Sequence, residues 1–141
     1  GGADQTITHA GSTGSELSAV TMNKSAGNAV LASAIEMDGA LTLTSGDLDA
    51  SAFDLTLTSS ATVSGGSDAS HVIGTMGKTT AATTKFTFPL GDGSQYKSIA
   101  ITPSAATSNE WTAKYYNAVY SSTALHDTNA GDLDHVSLYE W

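Results

Sequence analysis

The sequence predicts an all-β chain: a short β-helix-like solenoid followed by an antiparallel β-sandwich-like section. Three observations carry that prediction. Leu41-Thr42-Leu43-Thr44-Ser45 is nearly repeated as Leu55-Thr56-Leu57-Thr58-Ser59, and strict Leu/Thr alternation sends one row of side chains inward and the other outward, as in a half-buried strand. Turn residues recur every few positions, which is too tight for a sandwich of ordinary strands but suits rungs stacked about 4.8 Å apart. No segment has helical character; residues 29–37 come nearest, and Val30, Ile35 and the flanking glycines oppose it.

Taken in order, residues 1–18 form a Gly- and Ser-rich lead-in with one strand at 5–8. Residues 19–80 form the solenoid-like section, with strands at 20–22, 30–32, 35–37, 41–43, around Leu48, and at 53–57 and 61–63. Between them lie Ala26-Gly27-Asn28, Asp38-Gly39, Ser45-Gly46-Asp47 and Ser64-Gly65-Gly66, turn chemistry in which Gly and Asn accept positive φ cheaply. Short strands at 71–73 and 76–78 end this section. Residues 81–141 form the sandwich-like section. Its first strand runs from Lys85 toward Asp92 and ends or lies at an edge at Pro89, which has no N–H for a ladder. A strand at 96–102 stops at Pro103, an aromatic strand covers 111–120, a polar loop covers 121–134, and an alternating strand covers 135–141.

Composition narrows the function classes. At 141 residues the chain is one domain, or one and a half small ones. Hydrophobic content is 40 %, much of it Ala, so the core is thin and finely stacked. Charged residues make up 13 % against about 25 % in typical soluble domains, so hydroxyls dress the surface, as suits an extracellular β protein. The net charge is −9, with five Lys and no Arg. That removes the guanidinium fork for phosphate and guanine and repels polyanions, which argues against nucleic acid and anionic membranes. Without cysteine there is no disulfide framework, thiolate zinc site or Cys nucleophile. No apolar run approaches the roughly 20 residues of a membrane span. No signal peptide is present, so a mature chain or a fragment is expected.

Val20-Thr21-Met22-Asn23-Lys24-Ser25, Ala40-Leu41-Thr42-Leu43-Thr44-Ser45-Gly46, Asp54-Leu55-Thr56-Leu57 and Val63-Ser64-Gly65-Gly66 lead into His71-Val72-Ile73 and Gly77-Lys78. Phe86-Thr87-Phe88-Pro89-Leu90-Gly91-Asp92 and Tyr96 follow. This series is similar to a pattern in large secreted surface proteins that bacteria export through the type IX secretion route. The resemblance covers residues 18–141. It implies a β-helical section, a Phe-Pro-Gly turn and a sandwich-like section, in a secreted or cell-surface adhesin, fibre or matrix protein, and it supplies no catalytic residues.

Candidate chemistry is sparse. Asp127, Asn129, Asp132 and Asp134 place oxygen ligands around Gly131 as a calcium site would, although an EF-hand-like loop sets its Gly one place later and ends in Glu. Turn capping by the same Asp and Asn side chains is the competing reading. Asp47, Asp49 and Asp54 resemble the acidic clusters of β-helical polysaccharide-cleaving enzymes, but no basic residue lies in the segment to abstract a proton, and they read as turn and outward-row residues. Glu16, Glu36, Glu110 and Glu140 are unpaired, with Glu36 and Glu140 flanked by apolar residues and so facing solvent. His9, His71, His126 and His135 lack metal-ligand spacing and read as surface or turn residues. Gly91-Asp92-Gly93-Ser94 lacks the Lys-Ser/Thr and the helix of a phosphate cradle. No enzyme activity, catalytic residue or cofactor is therefore expected.

Trp111, Ala113 and Tyr115 share one strand face and Tyr116, Ala118 and Tyr120 the other, with Tyr139 and Trp141 nearby in composition. Core plus interface is the preferred reading and a sugar-stacking platform the rival. Thr42 and Thr44 beside Thr56 and Thr58 would also form the flat hydroxyl rows of ice-binding solenoids, a use that the short, irregular repeat disfavours. The expected function is an extracellular structural or adhesive module, a link in a cell-surface fibre or matrix; the alternative is a carbohydrate-binding module using the Trp/Tyr faces. Its expected partners are copies of itself or neighbouring repeats, and glycans. Assembly would run through Gln5 and Ile7 at one end and Val136, Leu138 and Trp141 at the other, because unpaired strands add to neighbouring sheets.

Overall fold

The computed structural model describes residues 2–9, 16–80 and 82–117. These residues are all β, with no helix, and they wind as a β-solenoid of about four turns joined to a small antiparallel sheet. The Leu/Thr alternation does what its period of two demands. In β4 (Ile35–Ser45) and β5 (Leu48–Leu57), Ile35, Met37, Leu41, Leu43, Leu55 and Leu57 are all buried, while Glu36, Thr42, Thr44 and Thr56 are exposed or half-buried.

Each turn presents three strand faces, and each face is a parallel ladder. One face stacks β1 (Gln5–Ile7), β3 (Ala29–Leu31), the start of β5, the start of β7 (Val72–Thr80) and β9 (Leu90–Gly91). Its inward column is Ala29, Leu48, Val72 and Leu90. A second face stacks Ile35, Leu55 and Met76 in register. A third stacks Val20 of β2 (Glu16–Asn23), Leu41 of β4 and Val63 of β6 (Thr62–Gly65). Aliphatic side chains thus touch aliphatic side chains above and below, which buries apolar area with little chain.

The two near-identical phrases do not stack on each other. Leu41 pairs with Val20 and Val63, whereas Leu55 pairs with Ile35 and Met76, so the phrases occupy different faces of the solenoid. Their threonines therefore form no common flat row: Thr42 lies between Thr21 and Ser64, and Thr56 between Glu36 and Gly77. The reason is length. The Val20–Leu41–Val63 register makes a turn 21 or 22 residues long, far more than the offset between the phrases.

Corners are made where the sequence places small residues. Gly46 has φ 74° and Gly65 φ 83°, the left-handed region that favours glycine. At Gly39 the requirement is space: a Cβ would sit 1.3 Å from the Ser18 carbonyl oxygen. That contact lies at the register shift between Leu17 and Ala19, so β4 runs on from one face to the next instead of ending at Asp38-Gly39.

At the far end the pattern changes. Pro89 divides β8 (Phe86–Phe88) from β9, and its carbonyl accepts the Val72 N–H at 2.8 Å. β8 pairs antiparallel with β10 (Ile99–Ile101), and the Phe86 and Phe88 rings meet edge to face at 4.9 Å. β11 (Asn109–Lys114) then runs antiparallel along β7, setting Ala113 opposite Met76 and Trp111 opposite Lys78. The aromatic strand is thus shorter than expected, ending at Lys114 among the described residues.

Candidate functional site

The last full turn carries the polar groups that interrupt the aliphatic columns. Lys78 continues the inward column of Met37 and Leu57, a position that is otherwise aliphatic. It is 5 % exposed. Its ammonium donates to the carbonyl oxygens of Thr58, Ser59 (3.3 Å) and Ala61 (2.7 Å), and it lies 5.3 Å from the centre of the Phe86 ring. Three N–H donors thus meet three carbonyls at the corner after β5, which compensates a buried charge that has no ion-pair partner among the described residues. Burial lowers the Lys78 pKa below the ordinary lysine value.

His71 is fully buried, which corrects its reading as a surface or turn residue. Its Nε2 accepts the Gly93 N–H at 2.9 Å, so the ring proton sits on Nδ1, which lies 3.1 Å from the Ser67 carbonyl oxygen and 3.4 Å from Asp47 Oδ1. The same Asp47 oxygen accepts the backbone N–H of His71 at 2.9 Å. Asp47 is buried, not on an outward row. The pair clamps the corner at Gly46-Asp47 to the corner one turn later. Asp49 instead caps the Ser51 N–H at 2.9 Å, and Asp54 is exposed, so the three acids do not converge.

Beside Lys78 lies a half-open cleft of about 450 Å³ between the corner at 59–63, the end of β7, the start of β8 and Tyr96. Thr80, Lys85 and Phe86 also line it. The Thr80 hydroxyl oxygen is buried and has no hydrogen-bond partner among the described residues. The neighbouring Gly91-Asp92-Gly93-Ser94 loop offers no phosphate cradle: Asp92 Oδ1 itself accepts the N–H groups of Gln95 (2.8 Å) and Ser94 (2.9 Å), which hold its carboxyl below the usual carboxylate range.

Of the expected assembly residues, Gln5 and Ile7 lie in β1, at one edge of the sheet. Val136, Leu138 and Trp141 lie outside the described residues, as do the calcium candidates Asp127, Asn129, Asp132 and Asp134, and His126, His135 and Glu140. Among the described residues no three His, Cys, Asp or Glu side chains gather to hold a metal ion, and there is no helix long and apolar enough to cross a membrane. Ala113 and Tyr115 pack against the core, while Trp111 is 41 % and Tyr116 53 % exposed. Sequence reasoning assigned Lys78 no role beyond the resemblance and Thr80 none at all; the one signal for Lys78 was a cation at an inward position of an alternating strand.

Compared with models of known families, with curated proteins and with solved structures, the chain matches none.

Proposed function

We propose that the protein is an extracellular structural or adhesive module, a link in a cell-surface fibre or matrix of the kind exported by the type IX route. The observation that carries this reading is the edge of the first turn. β1 and β2 close the two ends of the strand order, so each has one side unpaired among the described residues. In β1 the Gln5 N–H bonds to the Asn28 carbonyl and the Ile7 carbonyl accepts from the Ala32 N–H, which turns the N–H and carbonyl of Thr6 away from β3. β2 adds eight residues of edge with one charged side chain type, Glu16, and no proline. Natural edges that must stay single carry lysine, proline or heavy charge. An edge this bare accepts another strand, from a second copy or a neighbouring repeat of the same protein.

The test is Thr6→Pro. It removes an outward N–H without touching a bond to β3, so the folded β signal in circular dichroism stays as in the parent. Electron microscopy of the concentrated protein should show filaments for the parent chain and none for Thr6→Pro. A parent chain that stays monomeric, or filaments unaltered by the substitution, would overturn the assembly. The exposed Trp111 and Tyr116 favour a second reading, a carbohydrate-binding module; glycan binding lost on Trp111→Ala with no filaments in the parent would select it.

A further inference from the structure

The cleft beside Lys78 is lined by two lysines, several hydroxyls and two aromatic rings. Its volume of about 450 Å³ falls in the range of small-molecule sites. Among the described residues no Asp or Glu lines it, yet two of the chain's five Lys do, in a protein of net charge −9. A fixed positive region in an acidic molecule draws an anion. The Lys78 ammonium is spent on three backbone carbonyls, so it contributes field and holds the floor. Lys85 is exposed and lines the cleft, which makes it the group placed to meet a carboxylate. The remaining polar lining is hydroxyl, from Ser59, Ser60, Thr62 and Thr80 among others. Thr80 is 6 % exposed and its hydroxyl is unpartnered among the described residues, a state that costs stability unless a ligand supplies the missing bond. Phe86 and Tyr96 add apolar ring surface.

We infer that this cleft binds a carboxylate-bearing sugar, a uronic acid unit of an acidic polysaccharide. The carboxylate meets Lys85, a sugar hydroxyl pairs with Thr80 once the ligand parts the lining over its Oγ, and the ring packs on the aromatic wall. This site is distinct from the β1 edge and stands whether or not the chain forms filaments.

The experiment titrates the 141-residue chain with digalacturonate by calorimetry and by ¹⁵N chemical shifts, with neutral digalactose and acetate as parallel probes. Digalacturonate should saturate and shift the amides around Thr80 and Lys85, and added salt should weaken it. Lys85→Gln should weaken binding at least fivefold and abolish the salt dependence. Thr80→Val, nearly isosteric, should also weaken binding at least fivefold while raising the melting temperature, because it removes the orphaned hydroxyl; a purely structural Thr80 would lower it. Phe53→Ser, at an exposed position outside the cleft, should leave digalacturonate binding unchanged. No binding at millimolar digalacturonate, equal binding of digalactose or acetate, or loss on Phe53→Ser with retention in Lys85→Gln and Thr80→Val would each overturn the assignment.

Discussion

The middle turns of the solenoid and the C-terminal strands use the same β geometry under different boundary conditions. Leu55 in β5 has Ile35 on one side of its column and Met76 on the other, and it is buried. Ile99 in β10 has Phe88 on one side and no strand on the other among the described residues, and it is half-buried. β11 is more extreme: Ala113 is half-buried and its other five residues are exposed. A rung buried on both sides gains apolar contact twice for one ordering of its backbone, whereas a terminal rung gains it once. The lesson is that stability in such a stack resides in neighbours, and the exposed rings, the cleft and the edge strands lie toward its ends.

The sharpest way to break this contrast is a matched pair of truncations. Leu55→Ala should cost about 2–5 kcal/mol in urea unfolding, and Ile99→Ala about 1 kcal/mol, because the end can relax around the lost atoms and the middle cannot. Equal losses would mean that the C-terminal sheet is as tightly held as the turns. A smaller effect is expected from His71→Phe. It keeps the ring's bulk but strands the Gly93 N–H and the Ser67 carbonyl, so about 2 kcal/mol should be lost, together with the protection of the Gly93 amide in hydrogen exchange. An unchanged Gly93 amide would remove the histidine from its role as the clamp between middle and end.

The smallest effect concerns pH and Lys78. Its pKa is lowered in the fold, so between that lowered value and the ordinary 10.5 the unfolded chain binds more protons than the folded one. Stability then rises with pH over that window. Relative to Lys78→Met, the parent should therefore gain stability as the pH climbs from neutral toward 10.5, read from paired denaturation curves. A difference that is flat or falls with pH would show that the carbonyl cage outweighs desolvation.

Much of the architecture was legible locally. The alternation of Leu with Thr told which side chains point inward, and the burial of Leu41, Leu43, Leu55 and Leu57 follows it residue by residue. Gly46 and Gly65 marked corners because only a residue without Cβ takes their positive φ cheaply. The candidate site was far less visible. Thr80 is one threonine among many, and its hydroxyl is distinguished only by what surrounds it in space. His71 and Asp47 are 24 positions apart, and nothing in either local segment announces that a corner of one turn will lie under the corner of the next.

The amino-acid sequence alone therefore determined the class of structure, the inward and outward rows, the thin aliphatic interior and the hydroxyl-dressed, charge-poor surface, since these depend on the period of two along a strand and on composition. Only the tertiary structure decided which strand lies on which, that the two Leu-Thr phrases part company onto different faces, and that Lys78, His71 and Asp47 are buried. Those outcomes depend on the summed lengths of strands and corners around a whole turn, where a difference of one residue turns a side chain from the core to water.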